Sequence, residues 1–68
     1  MHLDEALERG YGLAHKVVRG NRYRVERLGE MHKVILFHRS GVRKELDFGV
    51  FHSEVVRRYG ANGWKPGS

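Results

Sequence analysis

The chain has 68 residues, 40% of them hydrophobic and 31% charged, with no cysteine and one proline. That length admits one small core and excludes a Rossmann pair, a barrel enzyme or a two-domain clamp. Disulfides and thiolate zinc sites are excluded with the missing cysteines, so support from a partner, a homodimer included, is the expected substitute.

Lys and Arg number 13 against 8 Asp and Glu, a net charge of +5, and the pI is about 10.1. The excess lies wholly after residue 20, because Arg9, Lys16 and Arg19 are offset by Asp4, Glu5 and Glu8. Nine of the cations are Arg, whose planar fork suits phosphate and stacks on bases. A basic balance of this kind is the electrostatic footprint of nucleic-acid binding; a merely solvated surface is the bland alternative. The longest apolar run, Val34-Ile35-Leu36-Phe37, is far short of the roughly 18 to 20 residues of a membrane helix. With no signal-peptide pattern either, the expectation is a cytoplasmic protein without a membrane partner.

In chain order, Leu3, Leu7, Gly10, Ala14 and Val17 recur at helical spacing. Acidic residues lie early in this stretch and Lys16 and Arg19 late, each where the helix dipole favours it. The stripe favours one helix to residue 19. Gly10 and Gly12 count against it at about 1 kcal/mol each. The rival is a helix ending near Arg9, then a strand over 13–19 turned back at Gly20-Asn21.

Residues 22–28 alternate, Gly29-Glu30 makes a two-residue turn, residues 33–39 are rich in β-formers, and 42–50 alternate again. Arg39-Ser40-Gly41 suits a three-residue hairpin loop with Gly41 left-handed. These turns set Val25 opposite Val34, Glu26 opposite Lys33, Val34 opposite Leu46 and Lys33 opposite Asp47. One face then carries Tyr23, Val25, Val34, Leu36, Leu46 and Phe48 as the core. The other carries Arg22, Arg24, Lys33, Ile35, Phe37, Arg39, Arg43, Glu45 and Asp47. A short helix is expected over 54–59, capped by Ser53 and stopped at Gly60. Trp64 is read as a latch on the core. The domain then spans 1–64, with 65–68 a frayed tail.

The fold class is therefore α+β, in the order α-β-β-β-α, with a three-stranded antiparallel meander and its helices on one face. Double-stranded-RNA-binding domains share this order. Gly29-Glu30-Met31-His32, running into Lys33-Val34-Ile35-Leu36-Phe37-His38, resembles the HicA family of toxin mRNA interferases, which carry a Gly-x-x-His at this strand entry. Residues 21–25 and 34–38 also look like strands of RelE-type ribosome-dependent toxins. The HicA resemblance implies a metal-independent endoribonuclease of the toxin–antitoxin kind, with mRNA and an antitoxin as partners and His32 as general acid or base. An imidazole can do either near neutral pH; a polar turn residue is the plain alternative.

On the residues themselves, Phe37 ringed by Arg22, Arg24, Lys33, Arg39 and Arg43 offers a single strand a ring for bases and cations for phosphates. A helix or a second protomer covering Ile35 and Phe37 is the competing account. Arg57 and Arg58 serve either phosphate contact or the C-terminal helix dipole. His38 is roughly 20 Å along the strand from His32, and His2, His15 and His52 show no ligand spacing, so neither metal nor cofactor is expected. The function read from the chain is a small basic nucleic-acid-binding protein, RNA before DNA. The alternative is a non-catalytic phage- or plasmid-type regulator that docks on a host protein or on DNA.

Overall fold

A computed structural model describes residues 1–67. The elements are α1 (Leu3–Arg9), β1 (Leu13–Val18), β2 (Asn21–Leu28), β3 (Met31–Phe37), β4 (Arg43–Val50), α2 (His52–Tyr59) and β5 (Lys65–Pro66). All strand pairs are antiparallel, in the order β4-β3-β2-β1-β5. The protein is α+β, and the expected meander is β2-β3-β4 within a five-stranded sheet.

The helix expected through residue 19 ends at Arg9. Gly10 closes it, and Tyr11 and Gly12 follow with φ of 54° and 90°. A Cβ on Gly10 would lie 2.0 Å from the Leu13 carbonyl and 2.3 Å from the Gly67 nitrogen. The chain reverses so tightly here that only glycine fits. Residues 13–18 form β1, and Arg19-Gly20, both at positive φ (54° and 81°), make the two-residue turn into β2. Such turns match the twist of the flanking strands. The β-branched pair Val17-Val18 and this turn outweigh the helical stripe.

Val25 pairs with Val34 and Glu26 with Lys33, as the turn at Gly29 requires. The 39–41 loop closes with the His38 N–H donating to the Val42 carbonyl and the Gly41 N–H to the His38 carbonyl, with Gly41 at φ 95°. From there the register differs from expectation. Ile35 pairs with Glu45, but Val34 pairs with Asp47 and Lys33 with Phe48, and a second shift precedes the His32–Val50 pair. An extra residue at each shift reverses the parity of the strand beyond it. Asp47 thereby moves to the core face, where Arg58 and Tyr59 donate to its carboxylate. Phe48, expected in the core, moves to the opposite face and is 67% exposed.

The core is one cluster: Leu3, Ala6 and Leu7 of α1, Ala14, Val25 and Val34 of the sheet, Val55 of α2, and Trp64. Tyr23, Leu46, Val50, Val56 and Tyr59 pack around it. Burying each of its Leu and Val side chains contributes about 1.5–3 kcal/mol. α2 begins at His52, two residues before the expected start, with Phe51 at its N-cap position and no side-chain cap. It stops at Gly60 (φ 94°). Lys16 reaches across to cap it, donating to the Tyr59 carbonyl at 2.7 Å and lying 5.2 Å from the Trp64 ring centre.

Trp64 latches the core as expected: it is fully buried and its indole N–H donates to the Gly60 carbonyl at 2.9 Å. The residues after it are not frayed. Lys65 and Pro66 pair with His15 and Ala14, and the Gly67 N–H donates to Leu13 at 2.7 Å. Ser68 lies outside the described residues. Among the described residues, no helix is long and apolar enough to cross a membrane.

Candidate nucleic-acid interface

The face of the sheet opposite the core is set by register. Arg22 stands opposite Phe37, which stands opposite Arg43; Arg24 opposite Ile35, then Glu45; Glu26 opposite Lys33, then Phe48. All three strands of the meander thus put a cation on this surface, with a ring at either end. The Arg22 and Arg24 guanidinium carbons lie 5.1 and 5.6 Å from the Phe37 ring centre, and the Lys33 ammonium lies 5.9 Å from that of Phe48. These are cation–π distances. They hold the cations over the sheet instead of letting them trail into solvent.

Ile35 is 1% exposed although it points to this open side. Arg24 opposes it directly, and the Arg24 Nε is buried without a hydrogen-bond partner. The aliphatic stem of arginine covers apolar surface in this way while its charge stays at the water boundary. So Ile35 is sealed by its own neighbours.

Arg39 belongs to the same end of the sheet. Its backbone N–H donates to Asn21 Oδ1 at 2.9 Å, and its side chain lies against Gly20. Arg57 and Arg58 are elsewhere, on α2. Arg57 holds both oxygens of Glu54 at 3.0 and 2.8 Å, and Arg58 holds Asp47 and Glu54. The hydrogen bond from Arg57 holds the Glu54 carboxyl below its ordinary range. The Tyr59 phenol is pushed well up by burial and by its bond to Asp47. A shallow cleft of about 180 Å³ opens beside this group, lined by Val18, Tyr23, Arg58 and Tyr59.

Charge is sorted between the two sides. Each of the seven ion pairs among the described residues includes α1, α2 or the α1 cap. Arg22, Arg24, Lys33, Arg39 and Arg43 take part in none of them. Transfer of Asp47 to the core face by the register shift is part of this sorting, since it removes an anion from beside Lys33.

His32 is not part of the cationic surface. It lies on the core face opposite Arg27 and Val50, is 3% exposed, and its Nδ1–H donates to the Val50 carbonyl at 3.2 Å. Burial holds its pKa below the ordinary value, with help from the neighbouring His52 and Arg27 charges and against the Val50 bond and Asp4. The His52 ring stands edge-on to it with centres 6.0 Å apart, and His52 Nε2 lies 2.6 Å from Asp4 Oδ1. His2 stacks on His52 at 6.2 Å. This convergence of three histidines was invisible in the sequence because each comes from a different element. No group of three or more potential ligands among the described residues has metal-binding geometry.

Phe48, which the sequence reading placed in the core, is the ring on this surface that it missed. The shift that moves it lies at Leu46, which carries no sequence signal; Gly49, a glycine inside a strand pattern, marks only the second shift beyond it. Compared with known proteins, the chain matches no family model, no curated protein and no solved structure.

Proposed function

We propose that the protein is a cytoplasmic nucleic-acid-binding module whose contact surface is the open face of its sheet. The observation that carries this reading is the alignment of Arg22, Arg24, Lys33 and Arg43 with two phenylalanines, all four cations outside the ion pairs among the described residues. Cations already paired with carboxylates gain little from phosphate; unpaired ones release the counterions of a polyanion and gain fully. The reading takes both helices to cover the other face, which the single buried cluster of Leu3, Leu7, Val25, Val34 and Val55 supports. That leaves the cationic face to solvent.

RNA before DNA rests on the resemblance of residues 29–38 to HicA. The ribonuclease which that resemblance implies would act through His32, yet a side chain 3% exposed on the core face cannot reach a strand lying on the cations. The strand over 13–18 also departs from the α-β-β-β-α order of that family. Binding without cleavage is therefore the favoured function. A regulator docking a host protein through Ile35 and Phe37 is less favoured, because Ile35 offers no accessible surface and Phe37 is flanked by the Arg22 and Arg24 guanidinium groups.

The test is the salt dependence of binding to a labelled single-stranded RNA. Contacts from four cations give a slope of log K against log[salt] of roughly −3. Arg22→Gln with Arg43→Gln lowers that slope and the affinity together. A salt-independent interaction, or none at low salt, contradicts the reading.

A further inference from the structure

The exposed ring of Phe48 has no structural work to do. It is 67% exposed, contributes nothing to the core cluster, and faces solvent beside Lys33. Two shifts bracket the short stretch of β4 that carries it, and without the first it would point into the core in place of Asp47. Next to it on the same face the sheet ends in Leu28 and Met31, a cross-strand pair that is 44% and 37% exposed. At the other end of the face Phe37 is flanked by the guanidinium groups of Arg22 and Arg24. Phe48 is level with Lys33, four residues from Phe37 along β3, which is roughly 13 Å of strand. One base cannot touch both rings. Two bases of one strand can, with its phosphates passing over the cations between them.

We propose that Phe48 is a base-stacking platform and that the occupant of this face is a single-stranded polynucleotide, one base on Phe48 and another on the Phe37–arginine group. This rests on the nucleic-acid reading above and narrows it. A duplex shows phosphates and groove edges but keeps the faces of its bases stacked inside, out of reach of a ring on an open sheet. A single strand offers π-faces, and stacking on an aromatic ring tolerates any base. Charge selects nucleic acid over an apolar protein partner, because Lys33, Arg24, Arg22 and Arg43 line the path between the rings and only Glu26 and Glu45 oppose them.

The experiment measures anisotropy of fluorescein-labelled 12-nucleotide uridylate and thymidylate strands and of a 12-base-pair duplex, with the wild-type chain, Phe48→Ala and Phe48→Trp. Circular dichroism confirms folding, which an exposed side chain should not disturb. Phe48→Ala is expected to weaken both single strands about tenfold, to change duplex binding less than twofold, and to leave the salt slope unaltered. Phe48→Trp retains or tightens single-strand binding. If Phe48→Ala binds single strands as the wild type does, with the same salt slope, the stacking platform is wrong and the nucleic-acid reading stands. If the wild type binds neither single strand nor duplex at low salt, both fail together. A wild-type dimer in sedimentation that Phe48→Ala dissociates also overturns the proposal, assigning the ring to a second copy.

Discussion

The two faces of this sheet share the same strands and treat charge in opposite ways. On the core face nearly every ionised group has a partner: Asp47 with Arg58 and Tyr59, Glu54 with both arginines of α2, Asp4 with His52, and Lys16 on the carbonyl end of α2. On the open face Arg22, Arg24, Lys33 and Arg43 share the surface with Phe37, Phe48, Glu26 and Glu45 but join none of the seven ion pairs among the described residues. With 13 cations and 8 anions the fold has to leave cations unpaired somewhere, and four of them lie on one face. We read the side that pairs its charges as surface used for stability, and the side that does not as the surface proposed for a ligand.

The comparison breaks most violently at Trp64. Its replacement by alanine removes a fully buried indole and its bond to Gly60, at about 3–5 kcal/mol. A chain of this size has about 3–10 kcal/mol in all, so urea titration should find Trp64→Ala largely unfolded and its binding lost. Gly10→Ala is expected to be nearly as damaging, because the added carbon meets two backbone atoms that cannot both withdraw.

The opposite pattern is expected for Arg22→Gln with Arg43→Gln. Affinity for single-stranded RNA falls more than tenfold, while the melting temperature shifts by only about 3 °C or less, as for ordinary surface changes. Asp47→Ala sharpens the contrast from the other side. It leaves Arg58 and Tyr59 without their acceptor and costs about 1–2 kcal/mol, with RNA affinity unchanged. A large loss of RNA affinity in that variant would show that the two faces are not independent.

The smallest expected effect is a pH dependence. The folded-state pKa of His32 lies below its unfolded value, so the unfolded chain takes up the proton more readily. The stability that His32 gains from staying neutral is complete above pH 6.5 and declines as the pH falls below it. Melting at pH 7 and pH 5 should show the acid-side decline, and His32→Asn, which keeps a donor for Val50, should flatten it.

Some of this was legible in the sequence and some was not, for definite reasons. The β2–β3 register followed from a two-residue turn at Gly29, and the β3–β4 loop from a glycine where positive φ is needed. Those are local rules with one solution. Residues 13–18 satisfied both a helical and a strand period, and the choice lay with contacts from β2 and β5 that no local window contains. The Lys65–Pro66 strand is too short to leave a pattern and exists only because β1 offers an edge. The shift at Leu46 changed which face Asp47 and Phe48 occupy without changing the alternation that was read. Arg22, Arg24, Lys33 and Phe37 lie on the expected face because the β2–β3 register has no shift, and Arg43 because it precedes the shift in the β3–β4 ladder. Arg57 and Arg58 were not separable from their acidic partners until α2 was seen against β4.

The most direct test of the central claim is a map of amide chemical-shift changes on titrating the labelled protein with a single-stranded 12-nucleotide RNA at low salt. The account predicts that the changes concentrate on Arg22, Arg24, Lys33, Phe37, Arg43 and Phe48 and spare Val55, Arg57 and Arg58. Changes centred on α2 or around His32 and His52, with the open face silent, would contradict it.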